Sequence, residues 1–214
     1  MHDGQRLALL LKWEDGSHDE TAIRPQDFRD AAAVEFALTP DPPFFAMGQP
    51  GAAVNIWMWK SERQTDLDVA FQDIDKVYPN VGIDSYPNSA KSPLEQPTRN
   101  ALTLQSDPAF VTAWGAGNIV ADPTRRSAAE NLTAQGLGTL RAHPRAAQNI
   151  QANGEYSTGS YRVQFTRALD EGRDTIRLAP GDRVPVAFAA WNGSAGDRDG
   201  KKSVTIWQEL YLEK

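Results

Sequence analysis

The segment PPFFAMGQPGAAVNIWMWK, residues 42–60, decides how the chain is read. Its second half, AVNIWMW from Ala53 to Trp59, has the alternation of a strand. Val54, Ile56 and Met58 share one face, and Asn55, Trp57 and Trp59 share the other. Pro50-Gly51 is a turn signal just ahead of it. Prolines at 40, 42 and 43 stop whatever strand comes before.

Working outward, more strands appear. Leu7 to Trp13 (LALLLKW) reads as a buried strand ended by the Glu14-Asp15-Gly16 turn, and Ala33 to Leu38 (AVEFAL) as the next. DLDVAFQD, residues 66–73, alternates with Leu67, Val69 and Phe71 on one side and predicts a strand. SAAENLTAQG, residues 127–136, predicts the best helix: Ser127 as N-cap, Glu130 completing a capping box, Gly136 as the stop. Tyr161, Val163 and Phe165 alternate with Arg162, Gln164 and Thr166, and DTIRLAP is a short run ending at Pro180-Gly181. Residues 184–193 are apolar enough for a central strand, 193–202 form a polar hairpin tip, and SVTIWQELYLEK closes the chain as a strand. Residues 76–100 form a long proline-rich loop, either a partner-binding surface or a crossover between sheets. Many short strands, one helix and no βαβ rhythm predict an all-β chain. The expected fold is an antiparallel β-sandwich with a few short helices and long loops, one domain over residues 1–214.

Composition narrows the function. A net charge of −6 and a pI near 5.1 argue against non-specific nucleic-acid binding. With no cysteine, the chain forms no disulfide, holds no iron–sulfur cluster through thiolates, and attaches no haem covalently. No apolar run is long enough to span a bilayer. The head MHDGQR lacks the pattern of a secretory signal. The expectation is either a cytoplasmic protein or one exported with a partner. The three histidines have no partners at metal-ligand spacing, and no nucleophile elbow, zinc-protease helix or phosphate loop is present. Catalysis by this chain alone is not expected.

Two places carry chemistry. Met47 sits on a tight Gly/Pro loop beside Phe44 and Phe45. It reads either as core filler or as a soft thioether ligand of the kind iron in a porphyrin accepts. The hairpin DRDGKKSVTIW carries Lys201 and Lys202, either solvated or presenting an amine to a metal. Coordination needs a neutral amine, and deprotonation at pH 7 from a pKa near 10.4 costs roughly 4.6 kcal/mol. Burial and a metal bond both act to offset that. Loops cluster at the ends of a sandwich, which brings this tip within reach of the Met47 loop. The six tryptophans and five tyrosines leave a second reading open, a carbohydrate-binding module with a stacking platform.

The chain also resembles a known family. WEDG (13–16), PPFFAMGQ (42–49), VNIWMWK (54–60), GLGTL (136–140), VAFAAWNGS (186–194) and GKKSVTIW (200–207) are similar, in order and nearly end to end, to one group of proteins. These are the haem b-binding γ subunits of type II dimethyl sulfoxide reductase-family molybdenum enzymes, which include the ethylbenzene dehydrogenase type. The resemblance implies a non-covalent haem b with a methionine and a lysine as axial ligands. The matching methionine is Met47, and the chosen lysine is Lys202. Lys201 is its near rival, and Lys60 and Lys91 stand further back. It implies a dry pocket walled by Phe44, Phe45 and Trp57, with Trp191 and Trp207 as further candidates. It implies an electron-transfer role beside an iron–sulfur subunit and a molybdenum catalytic subunit, with a soluble acceptor such as a cytochrome. It also implies a periplasmic location reached with a signal-bearing partner.

Overall fold

The computed structural model describes residues 1–44, 47–70, 72, 74–81, 118–119, 125–170 and 175–214. The chain runs β1 (Arg6–Glu14), β2 (Ala31–Ala37), β3 (Val54–Lys60), α1 (Ser61–Asp68), β4 (Ala129–Ala134), β5 (Arg141–Ala142) and β6 (Gln151–Ser157). It continues with β7 (Ser160–Ala168), β8 (Arg183–Trp191), β9 (Ser203–Val204) and β10 (Gln208–Tyr211). Among the described residues one sheet has the order β1-β7-β6. The larger has the order β10-β8-β2-β3-β4-β5, with β9 paired to β8. The pairings are antiparallel throughout. This is the expected all-β sandwich.

The core lies between the sheets. Leu7, Tyr161, Val163 and Phe165 of the small sheet pack on Val34, Phe36, Trp57 and Trp59 of the large one. Trp59 meets Trp13 and Tyr161 edge-on, with ring centroids 6.3 and 5.5 Å away. The Gln64 carboxamide of α1 accepts from the Trp59 indole at 3.1 Å and from the Gly154 amide at 2.9 Å, which draws β6 down onto the ring. A Cβ on Gly154 would stand 2.3 Å from the Trp59 ring, which is 1% exposed and has nowhere to move. Gly154→Ala is therefore expected to cost about 3 kcal/mol by overpacking, read as a lower urea midpoint with an unchanged slope.

The large sheet has a second apolar face. On β2, Ala32, Val34 and Phe36 point into the sandwich, while Ala31 and Ala33 point outward. Val54, Ile56, Leu132, Ala134 and Trp191 join them on that outer face. No strand of the small sheet covers it; the Met47 loop and the segment before β9 do.

Three sequence expectations are corrected. Residues 129–134 form β4, not a helix. Ser127 Oγ accepts from the amides of Ala129 and Ala152 rather than capping a helix, and Glu130 turns to Lys60 instead of back to residue 127. Pairing to β3 along its length overrides the local helix signal. Conversely, residues 66–68 end the helix α1 and do not start a strand. Its buried side chains are the polar Ser61, Arg63, Gln64 and Thr65, while Leu67 and Val69 are exposed, so apolar alternation misleads there. The closing strand is broken into β9 and β10, and DTIRLAP, as far as it is described, forms no strand. Strand β6 gave no sequence signal, because its half-buried positions are Ala152, Gly154 and Tyr156. The proline-rich loop beyond residue 81, and with it Lys91, lies outside the described residues, as do Phe45, Phe71 and Trp114.

A candidate cofactor site on the outer sheet face

The outer face of the large sheet floors a cavity of about 700 Å³, within the range of small-molecule and cofactor sites. The floor is flat because its side chains are small: Ala31 and Ala33 of β2 lie beside Ala187 and Ala189 of β8. Ile56 and Met58 of β3 and Leu132 of β4 complete it, and Trp191, Leu137, Leu140 and Val204 form walls.

Met47 enters over this floor from the loop before β3. Its carbonyl accepts from the Gly136 amide at 2.8 Å, which fastens the loop to the end of β4. Gln49 and Ala52 close the Pro50-Gly51 turn by a reciprocal amide–carbonyl pair at 3.0 and 2.9 Å. Gly48 adopts φ +72°, and a Cβ there would lie 2.8 Å from the Ala134 carbonyl oxygen. Gly48→Ala is expected to combine left-handed strain of about 1–3 kcal/mol with a backbone clash and to displace Met47. Thermal melts should show a clear drop in Tm, larger than for Gly51→Ala, where a Cβ meets open space.

Lys202 enters from the opposite side. The tip that carries it is tied down at several points. Arg198 lies over the Phe28 ring at 4.2 Å and donates to the carbonyls of Pro25 and Asp27 at 2.8 and 2.9 Å. The Trp191 indole donates to the Asp199 carbonyl at 3.1 Å. Further on, the Trp207 indole donates to the Pro43 carbonyl at 2.7 Å and couples this segment to the Met47 loop.

Residues 155 positions apart thus converge: Lys202 Nζ stands 3.7 Å from Met47 Sδ and 5.1 Å from the centre of the Trp191 ring. Burial moves the Lys202 amine toward its neutral form, while Glu35 and Asp199 oppose the shift. Glu35, from β2, projects onto the cavity floor. It is 8% exposed and its Oε1 has no hydrogen-bond partner. Burial raises its carboxyl to about 8, and the charge of Lys202 pulls the other way.

At one end of the cavity lies a charged cluster. Glu130, 3% exposed, pairs with Lys60 at 2.9 Å and with Arg63. Burial alone would raise its carboxyl; Lys60 and Arg63 more than reverse this and hold it near 2.

The expected site residues separate clearly. Met47 and Lys202 are brought together. Lys201 points away, to Asp197 at 3.4 Å and the Ala195 carbonyl. Lys60 is committed to Glu130. Trp57 is not a wall of the cavity: it is fully buried between the sheets, on the face with Asn55 and Trp59, where its indole donates to Asn55 at 3.1 Å. Phe44 is 86% exposed and does not line the cavity. With Pro43 buried and its carbonyl held by Trp207, the next side chain turns outward. Trp191 does form a wall, and Trp207 packs against the same outer-face cluster. Glu35 was missed, since one glutamate in an alternating strand reads as solvated. Trp57, Trp59 and Trp191, at 0, 1 and 7% exposed, offer no open face on which a sugar ring could stack.

The residues fit a haem. The donor set pairs a thioether with an amine, both available to porphyrin iron, over an apolar floor. The sulfur and the amine, 3.7 Å apart, would have to move apart to admit an iron between them.

Known proteins point the same way. A family model described as ethylbenzene dehydrogenase matches residues 1–203. A Haloferax mediterranei protein assigned by name as the heme subunit of a respiratory nitrate reductase is 26% identical over 95% of this chain and 50% of its own length. The dimethylsulfide dehydrogenase subunit gamma of Rhodovulum sulfidophilum is 26% identical over 94% of this chain and 54% of its own. The chlorate reductase subunit gamma of Ideonella dechloratans is 24% identical over 96% and 59%. The chain therefore spans 50 to 59% of the length of these curated relatives. With a match that runs through both the methionine loop and the lysine hairpin, the chain belongs to the family whose model is described as ethylbenzene dehydrogenase.

Proposed function

We propose that this chain is the electron-transfer subunit of a molybdenum-dependent oxidoreductase and holds a non-covalent haem b between Met47 and Lys202. The observation that carries the reading is the thioether–amine pair, 3.7 Å apart over an apolar cavity of about 700 Å³. Bound there, a haem supplies a one-electron couple. Met47 and Lys202 would be the two protein donors that hold its iron. The Met47 thioether favours ferrous iron and raises the potential. The alanine floor and the Trp191 wall would shield the ligands from water on those sides. The chain's own residues do no bond chemistry on a substrate.

The names of the relatives support a place in a larger complex. We assign the electron path to an iron–sulfur subunit on one side and a soluble acceptor such as a cytochrome on the other, with substrate chemistry at a molybdenum subunit. The periplasmic location, reached with a signal-bearing partner, is part of the same proposal and rests on the resemblance of the sequence to the ethylbenzene dehydrogenase type.

The test is reconstitution. The purified chain mixed with hemin and reduced with dithionite should take up one haem and give the sharp bands of a low-spin b-type cytochrome. A chain that folds and takes up no haem overturns the reading.

A further inference from the structure

The cavity floor contains one feature that ligand binding by Met47 and Lys202 does not use. Glu35 lies at the middle of the large sheet, in register with Ile56 on β3 and Ala187 on β8, both floor residues. The residue is 8% exposed, Oε1 has no hydrogen-bond partner, and the cluster packed on that face is apolar, with Lys202 the cation whose charge reaches it. A buried polar atom left without a partner costs about 1–3 kcal/mol. An unpaired buried charge costs more. The fold sets a carboxyl on the floor of the ligand cavity with no cation within ion-pair distance among the described residues; burial by itself favours its neutral acid, and a positive charge bound above it would favour the carboxylate.

The proposed site has the complementary deficit. A thioether and a neutral amine bring no charge to the iron. Leaving the propionates aside, the porphyrin dianion and ferric iron sum to +1, and with ferrous iron to zero. In an apolar cavity that single positive charge needs a counter-charge, and only in the oxidised state. Met47 offers none. Of the other carboxylates that line the cavity, Glu130 is paired with Lys60, Asp27 with Arg24 and Asp197 with Lys201, and Asp199 is exposed.

We propose that Glu35 is the internal counter-charge of the oxidised haem site, and that its carboxylate holds the reduction potential below the value the Met47 and Lys202 ligands alone would set. This rests on the haem reading above and assigns a role that neither ligand can fill. Glu35 is a positioning residue for charge: it touches the cofactor cavity but binds no iron.

The experiment uses the haem-loaded chain and the isosteric variant Glu35→Gln, with Glu35→Asp as the charge-keeping control. Redox potentiometry should show the Gln variant shifted at least tenfold toward the reduced form, which for one electron is about 59 mV upward. Its optical spectrum should be unchanged, and the Asp variant should stay within about threefold of the parent. Haem retention is measured in both oxidation states, because the two affinities and the potential close one thermodynamic cycle. A Gln variant whose ratio of ferric to ferrous haem dissociation constants is at least tenfold above the parent's ratio gives the same answer even where loading is poor. Equal potentials in the Gln variant and the parent, or equal weakening of both oxidation states, overturns the proposal and leaves the haem reading standing. A parent chain that takes up no haem overturns the haem reading itself.

Discussion

Replacing Lys202 by alanine in the haem-loaded chain should convert a six-coordinate, low-spin spectrum into one with high-spin features and an iron open to carbon monoxide in the ferrous state. Met47→Ala should do the same from the other side. Each should weaken haem retention by at least about 100-fold, since even the outer partners of metal ligands are worth 10–100-fold. The reason is geometric: the sulfur and the amine are the two donors that meet over the cavity floor, at 3.7 Å. Lys201→Ala is the decisive control. Its amine faces Asp197 and the Ala195 carbonyl, away from Met47, so its spectrum should match the parent. A parent-like spectrum in Lys202→Ala would remove the lysine from the site.

The second large effect is on stability. Glu130→Gln should cost about 3–5 kcal/mol, because it strands two buried cations, Lys60 and Arg63, beside a neutral amide. Guanidinium unfolding should show the midpoint fall accordingly. Replacing all three by apolar groups, Glu130→Leu with Lys60→Met and Arg63→Met, should recover much of the loss. The same cluster gives a pH signature. The Glu130 carboxyl is held near 2 in the folded chain, against an ordinary value of 4.5. Its contribution is therefore complete above about pH 4.5 and disappears as the pH falls toward 2. The Gln variant should lack this part of the acid transition.

The sandwich was legible because strand periodicity is short and local. Residues 54–59 were divided correctly between two faces, and that division itself places Trp57 in the core and away from the cavity, although an aromatic ring near Met47 invited the opposite reading. The helix and the strand assigned to residues 127–136 and 66–73 failed for one reason. In both, tertiary partners decide the outcome: β3 recruits residues 129–134 into the sheet, and a buried polar network holds α1. The meeting of Met47 and Lys202 was legible from the family resemblance and the clustering of loops at a sandwich end, since nothing local links residues so far apart. Glu35 was invisible because its burial depends on the outer face being covered, and alternation says which side a residue faces but not what lies over it.

The order of the strands has a bearing on biosynthesis. Strand β2 lies between β3 and β8, so one edge of the cavity floor is supplied by residues 183–191, and the lysine follows only at 202. A nascent chain on the ribosome therefore offers the methionine loop early but no finished receptacle until residues 183–202 have emerged. Under the proposed haem reading, loading waits for that segment, and cells starved of haem should accumulate apoprotein instead of fragments stalled before it.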